Sequence, residues 1–503
     1  MDRKEPQVLI DKIYRHEPFR LLERALMEGD FPIGLAEAES PFLALVLAAL
    51  WKRRPRHLVV VLPTDREAED FVGDLAFYGA SARLLPWWNV AAYRPAAVRS
   101  RAFGERASIL ADMACGNGGI IVASHRAFVT PVPPKDYLVG HLIPLKQGQA
   151  FQPDEIAERL AASGYLRVPR VALPGEFAQR GEVIDVFMPG DAQALRIQFG
   201  YDAIEKITRF DPGSQSGYAR ADECILRPLK EVIWTQERAE ALGRRGEELP
   251  GCRGRMAAVV ESLAQTGEWR GEECWYGLAF DSTHGISEYF DDTAVLFALN
   301  RERLDAQEES ARKEYAGMYR AALRENPVPP PERCLNTYAG ATAATSRIVS
   351  SFALKDQAQA SRLSMGGEPP RSFFGNVKYF REDLANFEKI KTQTYLAASS
   401  DIQADRIASL LQESAAAIIV GDLSAGYAIP ALQLRVVQEN EIFGRRKRVP
   451  KSLATTKSQI IDSFVELSPG DYVVHVNYGI GRFASIERMR VLGNERDYIK
   501  VEY

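Results

Sequence analysis

The sequence predicts a multidomain α/β protein: an α/β lobe interrupted by a small α+β module, then a second α/β domain and an incomplete C-terminal β-barrel. Three observations carry this expectation. The 503 residues are enough for roughly three to five domains of ordinary size. Short continuous apolar runs alternate with helical patterns in two separate stretches, as expected for strands covered on both faces. Between those stretches lies a proline-punctuated segment in which polar and apolar residues alternate with period two.

The first part of the lobe occupies residues 1–130. "SPFLALVLAALW" reads as a buried helix and falls short of the ~20 apolar residues that a membrane span needs. "LVVVLP" (Leu58–Pro63) reads as a buried strand. Phe71, Leu75 and Tyr78 follow it at helical spacing, with Thr64 or Asp65 as the N-cap. A helix-like "RSRAFGERASILADMA" precedes a second buried strand, "GIIVAS" (Gly119–Ser124). Strand, helix and strand in this order indicate a parallel sheet.

Residues 131–228 form the inserted module. After "TPVPP", the run "LRIQF" (Leu195–Phe199) alternates, and "GYD" turns into "AIEKITRFD", a pattern of antiparallel strands. "LPGEFAQRGEVIDVFMPG" (Leu173–Gly190) sets two Pro-Gly turns and an Arg-Gly around one apolar strand. Its turn chemistry suits an ordinary hairpin and equally a surface read by another protein. The lobe resumes over 229–330, charge-rich and mostly helical from Glu237 to about Arg324, and "ENPVPPPER" reads as a stiff boundary spacer. The second α/β domain covers 331–445, with strands "TYLAAS" and "AIIVGD" around a helix "DIQADRIASLLQES" capped by Asp401. A basic linker, 446–464, leads to short strands from 465 to 503 that end in the alternation "YIKVEY"; a longer protein is expected.

A net charge of −4 gives no global attraction to nucleic acid. Five scattered cysteines without a C-x-x-C imply neither zinc nor a disulfide framework and fit a reducing cytoplasm. The N-terminal "MDRKEPQVLIDKIYRHEPF" mixes charge with apolar residues and is no signal peptide. None of the six histidines has metal-ligand spacing. A phosphate loop needs a Gly-Lys step, and the sequence has none; "GLAEAESPF" stands in its place with Glu37 and Glu39, which repel phosphate. "PDEI" and "ADEC" lack the His or Asp that a helicase-type site would carry two residues later. No catalytic residue, metal or cofactor is therefore expected in this portion. The basic runs "KRRPRH" and "GRRKRVPK" suit solvated linkers or phosphate contacts, which makes Arg445, Arg446, Lys447 and Arg448 the DNA-contact candidates. "LPWWNVAAYRP" suits core packing, with base stacking as the alternative.

Four segments in order carry a family resemblance: "LLPWWNVAAYRPAAVRSRAFGERASIL", "GYLRVPRVALPGEFAQRGEVIDVFMPG", "GDLSAGYAIPALQLRVVQENEIFGRRKR" and "SPGDYVVHVNYGIGRF". Together they resemble the N-terminal portion of bacterial transcription-repair coupling factors. The resemblance implies a UvrB-like, RecA-type lobe with a degenerate nucleotide site, a UvrA-binding module, and the start of a CarD-like domain that docks the RNA polymerase β subunit. It implies a cytoplasmic, monomeric whole protein that recognises polymerase stalled at DNA lesions, displaces it by ATP-driven translocation and recruits UvrA for nucleotide excision repair. ATP and Mg, and most contact with double-stranded DNA, would belong to motor domains after residue 503; no membrane is involved. Carried over residue by residue, the resemblance puts Arg167 and Arg180 on the UvrA-facing surface, with Ala178 where a third arginine would stand. Phe187 is either an apolar anchor beside them or a core residue, and Gly181 lets a partner backbone approach. Val476 and Ile480 would serve a strand edge offered to polymerase, unless they pack inward. Two rival classes are a UvrB-like damaged-DNA-binding protein and a nucleotide hydrolase.

Overall fold

Apolar runs short enough for single strands assemble a seven-stranded sheet whose neighbours all pair in parallel. Its order is Arg362–Ser364, Ile33–Ala36, Ile348–Phe352, Val295–Ala298, Leu58–Leu62, Ile120–Ser124 and Ala82–Leu85. Every residue of Leu58–Leu62 and Ile120–Ser124 is buried, as a strand covered by helices on both faces requires. The helix Ser40–Arg53 buries its length from Pro41 to Leu50, and Thr64 caps the helix Asp65–Phe77 by accepting from the Glu67 amide. The computed structural model describes residues 2–88, 90–96, 100–352, 362–373, 375–411, 414–443, 472–475, 479–491 and 494–502. None of their helices is long and apolar enough to cross a membrane.

Two features depart from the expected order. Val295–Ala298, inside the stretch expected to be helical, is a fully buried strand between Leu58–Leu62 and Ile348–Phe352. Ile348–Phe352 in turn pairs with Ile33–Ala36, so the first sheet runs past residue 331, where the second domain was expected to start. The proline segment is no free spacer. The Tyr93 hydroxyl donates to the Pro329 carbonyl at 2.9 Å, and Cys334 and Tyr338 are buried just after it.

A second sheet has the order Arg3–Lys4, Ala417–Val420, Gln393–Ala398, Leu434–Gln438 and Tyr427–Ile429, antiparallel only at the last pair. The chain's first residues thus supply an edge strand to a sheet built almost 400 residues later. Ser400, rather than Asp401, caps the helix Asp401–Leu410; Asp401 is its first residue. The two sheets are braced together. Asp74 accepts from the Ser424 amide at 2.7 Å and hydroxyl at 2.6 Å, the Tyr78 and Tyr427 hydroxyls bond at 2.8 Å, and Phe42 stacks on Tyr427.

The inserted module is a six-stranded sheet in the order Gly217–Ala221, Ala203–Phe210, Ala194–Gly200, Val183–Val186, Glu176–Arg180 and Leu166–Arg167. All its pairings are antiparallel except the last. One face carries Phe177, Ile184, Val186, Ile197 and Ile207 and packs on Ile156 and Leu160 of the helix Pro153–Ala162. Several contacts fasten the module to the lobe, among them the following. Arg227 donates to Ser108 at 2.7 Å, to Asp112 at 2.9 Å and to Asp191. Gly104, inside the helix Arg101–Ala114, has room for no side chain, since a Cβ there would lie 2.4 Å from the Pro189 ring.

Residues 1–444 form one compact unit and 445–503 another. In the second unit Tyr472–His475, Gly479–Val491 and Asn494–Glu502 make a three-stranded antiparallel sheet.

Candidate docking surface

The face of the module sheet turned away from the helix Pro153–Ala162 is built from alternate residues. One row across it reads Ala178, Asp185, Arg196, Thr208 and Arg220, each paired in register with the next. Because side chains alternate along a strand, Arg180 stands two residues from Ala178 on this same face. The row is therefore polar and cationic over a small apolar floor of Val171, Ala178, Phe187, Ala194 and Phe210.

Asp185 is the centre of the row. It is 1% exposed and accepts three guanidinium N–H bonds. Two come from Arg196, through Nε at 2.7 Å and Nη2 at 2.9 Å, and one from Arg180 Nη2 at 2.6 Å. Arg196 also lies over the Phe210 ring, 4.6 Å from its centroid, and its Nη2 donates to Gln215. The hydrogen bond from Arg196 to Asp185 raises the Arg196 pKa above the usual arginine value, so its charge is fixed at any physiological pH. A buried carboxylate needs such partners to offset the cost of losing water. In return it holds two arginines of different strands in fixed directions.

Arg180 keeps half its side chain in solvent. It precedes a hairpin turn in which Gly181 adopts φ +56°, and nothing lies within 4 Å of where a Gly181 side chain would start. A partner backbone has open access there. Arg167 is exposed but is not beside Arg180: it donates to Gln179 at 2.8 Å, and Gln179 donates to Asp154 of the module helix at 2.6 Å. Gln179 alternates to the face opposite Arg180. Phe187 is 9% exposed and packs in the apolar floor, the core alternative of its two readings and not the projecting anchor. Ala178 lies in the same floor at 1% exposure, so an arginine there would have to leave the cluster. Asp185 and Arg196 were passed over in the sequence. A charge within the apolar "VIDVF" and an outward Arg in the alternating "LRIQF" are the signals that mark them.

The loop between the strand Ile33–Ala36 and the helix Ser40–Arg53 is packed against a later part of the chain. After the strand Arg362–Ser364, the Met365 amide donates to Ala36 O at 2.9 Å and the Gly367 amide to Glu37 O at 2.8 Å. Ser364 donates to the Glu37 carboxylate, and a Cβ at Gly367 would strike Phe42 at 2.5 Å. The loop ahead of the helix Ser40–Arg53 is thus contacted on one side, with Glu37 and Ala38 half-buried and Glu39 exposed. Trp87 and Trp88 are buried; Trp88 packs on Phe103 and Tyr276 beneath Arg106, which is core packing and not a stacking platform. Arg445, Arg446, Lys447, Arg448 and Val476 lie outside the described residues. Ile480 lies in the strand Gly479–Val491, its backbone in register with Val474.

Residues 143–231 match the UvrB interaction domain family and residues 467–503 the CarD-like/TRCF RID domain family. The first match coincides with the inserted module and includes its whole cationic face. Over most of its length the chain is similar to proteins named transcription-repair-coupling factor. One from Borreliella burgdorferi is 25% identical over 95% of this chain and 42% of its own length. One from Myxococcus xanthus is 27% identical over 91% and 43%, and one from Bacillus subtilis is 24% identical over 79% and 37%. The chain spans about two fifths of the length of these curated relatives.

Proposed function

We propose that this chain, similar as it is to the N-terminal portion of transcription-repair coupling factors, is the adaptor part of one. In this reading the module at 143–231 docks UvrA, and the sheet near the chain's end opens a CarD-like barrel that docks the RNA polymerase β subunit. The whole protein recognises polymerase stalled at DNA lesions, displaces it by ATP-driven translocation on double-stranded DNA, and recruits UvrA for nucleotide excision repair. ATP and Mg act in its motor domains, and the protein works in the cytoplasm as a monomer. The parallel lobe is a RecA-type fold, related to that of UvrB, whose nucleotide end serves packing instead of hydrolysis.

One observation carries the reading: the segment that matches the UvrB interaction domain presents arginines fixed by a buried carboxylate on the sheet face opposite the helix Pro153–Ala162, with half of the Arg180 side chain in solvent. Arginine forks recognise carboxylates on a partner in two-point fashion, and truncating one at an interface costs ~2 kcal/mol or more. Arg180 is the principal contact, Arg167 a second one at the sheet edge, and Val476 and Ile480 are the polymerase-docking residues. Arg445, Arg446, Lys447 and Arg448 add contacts to the DNA backbone. The test is capture of purified UvrA by the chain, compared with its Arg180→Ala variant. About thirtyfold weaker binding is expected from a loss of that size, and unchanged binding refutes the assignment of this face.

A further inference from the structure

The apolar floor of the docking face is buried, so the arginines stand there without a projecting hydrophobic group. The nearest hairpin supplies one. The strands Ala194–Gly200 and Ala203–Phe210 are joined by Tyr201 and Asp202, both in the left-handed region at φ +48° and φ +63°. Two successive positive φ values define the turn that best fits strand twist, and such turns favour Asn-Gly because other side chains are strained in it. Tyrosine is a poor choice for the first position. It is also fully exposed, at 106% of its reference area, whereas Tyr165, Phe177, Phe187, Phe199 and Phe210 of the module are buried and Phe151 is half-buried. Strain and exposure of one large ring at one tip both oppose folding, and a binding role accounts for both.

The tip is fixed and well placed. On one side the Phe151 amide donates to Asp202 O at 3.1 Å and the Ile204 amide to Gln149 O at 2.9 Å. On the other, the Phe199 amide donates to Glu182 O at 2.9 Å, which ties this hairpin to the Gly181–Glu182 turn directly after Arg180. The two turns therefore lie side by side at one end of the sheet. Neighbouring turns thus carry an exposed aromatic residue and a half-exposed arginine, two of the residue types that dominate interface energetics.

We infer that Tyr201 is the aromatic anchor of the docking face, seated in an apolar pocket of the partner whose rim carries the carboxylates that meet Arg180. This rests on the UvrA reading above, and its test separates the two. UvrA affinity and thermal unfolding of this chain are measured for Tyr201→Asn, Tyr201→Phe and Arg180→Ala. Asparagine tolerates the left-handed turn, so Tyr201→Asn is expected to bind about tenfold or more weakly while its Tm stays or rises. Tyr201→Phe, which keeps the ring, is expected to retain affinity. If Tyr201→Asn binds like the parent while Arg180→Ala does not, the anchor is refuted and the UvrA reading stands. A lowered Tm in Tyr201→Asn, or an equal loss in Tyr201→Phe, also overturns the anchor. If UvrA binds none of the variants differently from the parent, or does not bind the parent, the UvrA reading itself fails.

Discussion

Replacing Asp185 by Asn tests whether the docking face is pre-arranged by its buried carboxylate. The substitution keeps the shape and removes the charge, and it turns one acceptor oxygen into an NH₂ group facing a guanidinium. Asp185 now receives three N–H bonds at 2.6, 2.7 and 2.9 Å, and bonds to charged groups are worth roughly 1.5–3 kcal/mol each. Their full sum is not lost. The Arg180 and Arg196 side chains are 50% and 27% exposed, so water takes up most of the freed donors and screening reduces the rest. What remains is chiefly the bidentate Arg196 pair and its stacking on Phe210, about 2 kcal/mol. Native-state hydrogen exchange reads this locally, as faster exchange of the ladder amides of Val183–Val186 and Ala194–Gly200. UvrA binding should weaken in the same variant, because Arg180 then pays an ordering cost on docking. A change in protection below about 0.5 kcal/mol, the scatter typical of neutral surface substitutions, would show that Asp185 does not organise the face.

Two further outcomes concern the mount beneath the module. Arg106 and Glu231 are ion-paired with both side chains fully buried, and Arg106 also donates to Pro86 O and Ala127 O. Glu231→Gln should cost about 3–5 kcal/mol in denaturant unfolding, whereas changing both residues to Met should recover most of it; a loss under about 1 kcal/mol in the single variant contradicts the pairing. Burial raises the Asp74 carboxyl from 3.8 to about 7 against the opposing bonds from Ser424. The folded form then holds a proton that the unfolded form has released between pH 4 and 7. The stabilisation is complete below pH 4 and disappears as pH rises through 7, at about 1.4 kcal/mol per pH unit at most. Glu272 and Glu441, also raised to about 7 by burial, act in the same direction. Thermal unfolding from pH 4 to 8 should therefore fall less steeply in Asp74→Asn than in the parent, and identical slopes would count against a buried, protonated Asp74.

The parts of this fold that could be read from the sequence were those with a local cause. Leu58–Leu62 and Ile120–Ser124 are apolar over their full length because helices cover both faces, and that composition is visible without neighbours. Val295–Ala298 has the same character but only four residues and sits among charged helices, so its local context outweighed its own signal. The pairing of Arg3–Lys4 with Ala417–Val420 could not be read, since two charged residues become a strand only where an open sheet edge accepts their backbone. At the docking face, Arg180 came from the family resemblance, with Gly181 after it in support. The partnership of Arg180 with Arg196 could not be read, because it depends on the register that places Asp185 opposite Arg196. The choice between anchor and core for Phe187 stayed open for a related reason: alternation puts it on the outer face, and only the cross-strand neighbours Phe210 and Ala194 show that this face has an apolar floor of its own.

The contacts around the Glu37 loop and the inserted module make one mechanical arrangement. In a hydrolase, the loop before the helix Ser40–Arg53 would have to stay open to phosphate and move with it. Here Ser364 and Gly367 bind Glu37, Phe42 of that helix stacks on Tyr427, and Asp74 of the next helix holds Ser424. The same lobe grips the module through Arg227 and through the contact of Gly104 with Pro189. A face carried on such a mount loses little freedom when a partner arrives, and affinity rises with what need not be ordered. That is how a modest surface, one exposed tyrosine beside one half-exposed arginine, would suffice to capture a protein partner.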